Sequence, residues 1–326
     1  MLKKKLLTLL TLLSMGFVTA CSPEAPETVV EEEQSEETVV DESGKETSYP
    51  LTIEDASGRE VTIEEEPERI VSTSPSETEI LFALGLGEKI VGVSDYADYP
   101  KEALEKEKVG GVVEPNAEAI IDLEPDLVIT GISMSDDVVE KLANLELKIY
   151  KNDGQDLEGI LNNILKIGEV VNAQAEAEEL VADMQADIDD VKEAVKDVKE
   201  EDKKKVYLEF TPGWTVGSGE FLDELIEVAG GINVASELEG WAEVNEEKII
   251  EEDPEVILYA KDAVDFETEE PLEDLIRNRS GWEKISAIEN ERVIGIDENT
   301  VSRIGPRVTD ALKQFAEAIY PELYSE

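Results

Sequence analysis

No histidine occurs among the 326 residues, and cysteine occurs once, as Cys21. Without imidazole the chain cannot build a Ser-His-Asp or Cys-His catalytic arrangement, a His-bearing zinc site or the usual near-neutral proton shuttle. A single cysteine excludes an intrachain disulfide. Basic residues are scarce, 29 Lys and Arg against 80 Asp and Glu, for a net charge of -51. Such a field disfavours nucleic acid and anionic lipid as partners of the folded surface. The acidic excess is spread along the whole chain, which fits a high-salt or high-pH environment. The sequence also lacks a G-x-S-x-G elbow, a G-x-x-x-x-G-K-[ST] phosphate loop and an H-E-x-x-H pair. The glycines near 109–111 and 217–219 are too sparse for phosphate binding and read as turns. With so many acids, neighbouring carboxylates arise by chance and do not argue for a glycosidase. The expectation is a protein that is not an enzyme, with no resident metal or cofactor.

Long apolar runs are also absent, apart from one at the N-terminus. The basic stretch MLKKK precedes LLTLLTLLSMGFV, a run too short for a comfortable membrane span, so residues 1–21 read as an export signal. The ending Val18-Thr19-Ala20-Cys21 resembles the lipobox of bacterial lipoproteins. That resemblance implies lipidation at Cys21 and an extracytoplasmic protein anchored to the cell membrane. Residues 22–48 are rich in Glu, Ser, Thr and Val and nearly free of aromatics. They cannot bury enough apolar surface to offset ordering, so they read as a disordered acidic tether extended by its own charge.

From residue 49 the pattern becomes globular. LTIEDASGREVTI alternates apolar and polar positions about Ser57-Gly58, as a hairpin does. Strands and helices then alternate through residues 49–155 and again through 201–326, the pattern of parallel α/β units. Between them, residues 156–200 carry apolar residues at helical spacing: Leu157, Ile160, Ile164 and Ile167, then Val181, Met184, Ile188, Val191, Val195 and Val198. Asn172 marks a break, so the spacing predicts a short helix and then one of about 27 residues, about 40 Å long. The two flanking halves repeat each other. Asn116–Thr130, NAEAIIDLEPDLVIT, matches Asn245–Tyr259, NEEKIIEEDPEVILY, at a constant offset of 129. Glu79 and Glu224 fall at matching places, each six residues before a glycine. The expected architecture is two Rossmann-like lobes with central parallel sheets, joined by a long helix.

In such sheets ligands meet the loops after the carboxyl ends of the strands. SDYADYP places Tyr96 and Tyr99 there, TPGWTVGSG places Trp214, and Trp241 precedes the repeated helix of the second lobe. Tyr96, Trp214 and Trp241 sit among Gly, Pro, Asp and Ser rather than in an apolar period, so they are candidate ligand contacts. Tyr99, before Pro100, reads as packing, and Trp282 as a core anchor.

SPSETEILFALGLGEKIVGVSDYADYP, NAEAIIDLEPDLVIT, FLDELIEVAGGINVA and SGWEKISAIENERVIGID resemble the periplasmic binding proteins of cobalamin, ferric-siderophore and haem ABC importers. The similarity runs in order from about residue 51 to the end. It implies a monomeric solute receptor that captures a metal chelate in a cleft between the two lobes and delivers it to an ABC permease and its ATPase. It further implies that Arg303 faces the cleft and that one glutamate on the outer face of each lobe, Glu79 and Glu224, docks on the permease. Arg307, after Pro306, reads as structural. SDYADYP and the loop from Arg303 to Arg307 look closest to the cobalamin branch, and the lack of histidine argues against a His-ligated haem. A ferric siderophore or haem is the alternative cargo.

Overall fold

The computed structural model describes residues 46–324. The signal sequence, Cys21 and nearly all of the tether lie outside them. The first lobe opens with the expected hairpin, β1 (Leu51–Glu54) paired antiparallel with β2 (Glu60–Ile63). It continues through β3 (Ile70–Ser72), α1 (Pro75–Ala83), β4 (Ile90–Val93), β5 (Glu107–Lys108), α2 (Ala117–Asp122), β6 (Leu127–Thr130), α3 (Asp136–Ala143) and β7 (Ile149–Lys151). Five of these strands form one parallel sheet in the order β5-β4-β3-β6-β7. Its central strands β3 and β6 are buried along their whole length, as continuous apolar runs in a sheet covered on both faces require.

Two helices then connect the lobes, α4 (Leu157–Val170) and α5 (Gln174–Val195). Asp156 caps the first by accepting from Gly159 N at 2.7 Å. The break falls at the expected residue. Asn172 has φ of 57°, a left-handed conformation that asparagine tolerates better than a bulkier residue does. Its side chain accepts from Thr47 N at 2.7 Å and donates to Glu66 Oε2 at 2.8 Å. Tyr49 Oη also donates to Val170 O at 3.1 Å. The ordered body therefore begins by Thr47, two residues ahead of the expected lobe boundary. The connecting helix α5 has 22 residues, about 33 Å, and is shorter than expected. Asp197, Glu200, Glu201 and Asp202 follow it, and acids oppose the negative end of a helix dipole.

The second lobe comprises β8 (Lys205–Glu209), β9 (Trp214–Val216), α6 (Phe221–Val228), β10 (Ile232–Asn233), β11 (Trp241–Glu243), α7 (Glu246–Glu252), β12 (Val256–Ala260), α8 (Leu272–Arg277), α9 (Ser286–Glu289), β13 (Val293–Ile296), α10 (Glu298–Val301) and α11 (Val308–Ile319). Its parallel sheet has the order β10-β8-β12-β13, and β9 and β11 form a separate antiparallel ribbon. The internal repeat is now explained. Asn116 caps α2 by accepting from Glu118 N and Ala119 N, and Asn245 caps α7 by accepting from Lys248 N. Each helix leads through a proline to a fully buried strand, β6 or β12, that lies between two others in its sheet. Trp282 is fully buried and meets the Tyr207 ring edge-on at 5.5 Å, as expected of a core anchor. Helix α11 packs on α5, α6, β12 and β13 and so closes the second lobe.

Candidate functional site

The carboxyl ends of both parallel sheets open onto a cavity of about 830 Å³. From the first lobe it is lined by Ser74–Glu77 after β3, by Asp95, Tyr96 and Asp98 after β4, and by Gly131–Ser133 after β6. From the second lobe come Glu220 and Phe221 at the head of α6, Trp241 on β11, and the stretch from Glu298 to Ile304. A ligand here touches both lobes.

Three of the four expected ligand contacts line this cavity. Tyr96 is 64% exposed at the tip of a turn whose Ser94 and Ala97 carbonyls accept from Lys108 Nζ at 3.1 and 2.8 Å. Burial, the largest influence on that ammonium, lowers its pKa, while Asp95 and Asp98 oppose the shift. Trp241 is half-exposed, with its edge against Phe210 at 5.1 Å. Trp214 does not line the cavity. It lies on the neighbouring strand β9, across from Glu243, and its indole is half-exposed. The base of that ribbon is tied down by a buried carboxylate. Glu209 accepts from Gly213 N at 2.9 Å, from Tyr207 Oη at 2.9 Å and from both terminal nitrogens of Arg279 at 2.7 and 2.8 Å. Gly213 has φ of 80°, so the turn before Trp214 suits glycine.

Arg303 lines the cavity but is 8% exposed, and its guanidinium is already engaged. Nη1 lies 2.8 Å from Glu79 Oε1 and 2.7 Å from Asp98 Oδ1, while Nη2 donates to Asn299 Oδ1 at 2.7 Å and to the Tyr96 carbonyl at 3.5 Å. Arg307 completes the cluster: Nε donates to Glu79 Oε2 at 2.8 Å and Nη2 to Glu79 Oε1 at 2.6 Å. Its guanidinium also stacks over the Tyr99 ring at 4.1 Å. Hydrogen bonding to Glu79 is the largest influence holding the Arg307 pKa up. Both residues therefore have the packing role the sequence assigns them.

Of the two glutamates expected on outer faces, Glu79 is not there. Glu79 is 3% exposed, because the loop between α10 and α11 of the second lobe lies over α1 and brings both arginines to it. Glu224 is partly buried, and its Oε2 accepts from Leu157 N, at the head of α4, at 2.7 Å. Burial raises its pKa, and the Leu157 N–H opposes the shift. Glu79 is committed inside the molecule, whereas Glu224 is partly buried and gives one carboxylate oxygen to the Leu157 N–H. The repeat correctly paired the two positions, but spacing alone does not reveal which helix face a distant loop covers.

Glu77, in the same α1 turn, went unrecognised from sequence. It is 1% exposed and lines the cavity, and its Oε2 has no hydrogen-bond partner in the structure. Burial raises its pKa most, and Glu79 adds to the shift, against contacts with Ser74 and Asn152. A Cβ on Gly131 would stand 2.7 Å from the Glu77 carboxylate, so this glycine makes room for it. The available signal was its place, five residues past the end of the buried strand β3 in a strand–turn–helix unit. Among the described residues there is no group of three or more His, Cys, Asp or Glu side chains arranged to hold a metal ion. None of the described helices is long and apolar enough to cross a membrane.

Comparison with known proteins places this geometry in context. A family model described as periplasmic binding protein matches residues 70–300. The chain is 35% identical over 285 residues to YvrC of Bacillus subtilis, described as an uncharacterized ABC transporter substrate-binding lipoprotein, covering 85% of this chain and 88% of that one. The periplasmic vitamin B12 binding protein of Vibrio cholerae superposes with a TM-score of 0.66 at 26% identity, covering 80% of this chain and 99% of that one. A structure described as a possible iron-binding periplasmic solute-binding protein of Staphylococcus epidermidis superposes with a TM-score of 0.68 at 29% identity, covering 78% and 100%.

Proposed function

The chain belongs to the periplasmic binding protein family, and from that premise we propose that it is the lipid-anchored receptor of an ABC importer, capturing a corrinoid in its inter-lobe cavity. The family carries the coarser part: an extracytoplasmic substrate-binding protein that serves the permease and ATPase of an ABC transporter. The observation that supports a flat, bulky cargo is the cavity itself. About 830 Å³ lies between two lobes, with the ring of Tyr96 on one wall and that of Trp241 on the other. Aromatic faces offer large apolar contact at little entropic cost, which suits a macrocycle held by its planes. The likeness to the vitamin B12 binding protein supports the corrinoid in particular.

Adding cyanocobalamin should quench the intrinsic tryptophan fluorescence with one-to-one stoichiometry, because Trp241 lies on the cavity wall. The likeness to a possible iron-binding protein favours a second reading, a ferric siderophore or haem. No calorimetric heat with cobalamins, together with tight binding of a ferric hydroxamate, would decide for that reading.

A further inference from the structure

Five carboxyl side chains line the cavity, Glu77, Asp95, Asp98, Glu220 and Glu298, against one cation, Arg303. That cation is neutralised already by Glu79 and Asp98. The neighbouring ammonium, Lys108, is not among the lining residues and donates two of its three N–H groups to the Ser94 and Ala97 carbonyls. Among the described lining residues, then, no cationic group is left for an incoming anion. The charge of the whole chain is screened beyond about 8 Å at physiological salt, so the acids that count are those lining the cavity itself.

The second observation is Glu77. The residue lines the cavity, and its Oε2 is enclosed and lacks a hydrogen-bond partner. A buried oxygen without a hydrogen bond is costly, and an N–H donor on a ligand would supply the missing bond. A ligand carboxylate brought to the same place would instead crowd a second acid against it.

We propose that the cavity selects by charge: it takes a neutral or cationic chelate bearing N–H donors, such as the rim carboxamides of a corrinoid, and excludes polyanionic chelates. This rests on the chelate-capture reading above and narrows it.

The test is calorimetry on the intact protein with cyanocobalamin (neutral overall), ferrioxamine B (a cation), haemin (two propionates) and ferric enterobactin (a trianion). Haemin and ferric enterobactin should each bind at least about tenfold more weakly than the better of the other two, as like-charge juxtaposition requires. Raising the salt should narrow the gap. In a Glu220→Gln, Glu298→Gln double variant the anion-to-neutral affinity ratio should rise at least threefold, roughly what weakening two local repulsions gives. Either anion binding within tenfold of the best probe would overturn the proposal, and so would an unchanged ratio in the double variant. Silence with all four probes would instead remove the chelate-capture reading, and the charge filter with it.

Discussion

The most consequential single residue outside the cavity is Glu79, because its side chain is enclosed with two guanidinium groups that come from the other lobe. Removing one partner of a buried ion pair leaves charge without compensation, which typically costs about 3–5 kcal/mol. Glu79→Ala should therefore lower the urea midpoint by that equivalent, while Glu79→Gln, which keeps an acceptor for one arginine, should cost less. A loss below about 1 kcal/mol would mean that Asp98 and solvent satisfy the arginines unaided. Little of this was legible. Arg303, Arg307, Tyr96 and Tyr99 stood out because of their neighbours in sequence, and the structure brings all four to one end of the cleft. The outer-face expectation for Glu79 came with the family resemblance, and no local pattern shows its burial, which depends on a loop more than two hundred residues away.

At the scale of elements the sequence was far more transparent. Period-two alternation marks β1 and β2, and buried apolar runs mark β6 and β12. Asparagine followed by a short acidic helix and proline marks the repeat, since the cap residue needs a side-chain oxygen whatever the tertiary context. The repeat also makes a quantitative claim. Asn116→Ala and Asn245→Ala each remove the side-chain acceptor at a helix start and should each cost about 1 kcal/mol. Denaturation of the two single variants checks this, and a twofold or larger inequality would show that the caps are not equivalent in energy. The β9–β11 ribbon stayed invisible. Its strands are three residues each and rich in turn formers nearby, so they carry no period to detect. The same shortness hid the fact that Trp214 and Trp241 ride on one ribbon.

On the scale of the whole molecule, two expectations concern how the receptor is held in place. The Val-Thr-Ala-Cys ending precedes a stretch that offers no other apolar anchor before the folded body. Cys21→Ser should therefore move the protein from the membrane fraction into the soluble extracytoplasmic fraction, because a lipid chain supplies the affinity that the acidic surface cannot. Immunoblotting of the two fractions reads the outcome, and continued retention of the variant would exclude Cys21 as the anchor. The two-lobe plan itself was legible because duplicated α/β units print the same pattern twice. The geometry between the lobes was not, since it depends on contacts that no local pattern encodes.

The arginine contacts of Glu79 also impose a timetable. Arg303 and Arg307 follow it by 224 and 228 residues, near the end of the chain. A polypeptide emerging N-terminus first, from a ribosome or through a translocation pore, exposes α1 long before either arginine appears. Until then the Glu79 carboxylate stays open to water, and α1 lacks the loop that covers it in the finished molecule. Completion of the first half thus waits on the last stretch to emerge.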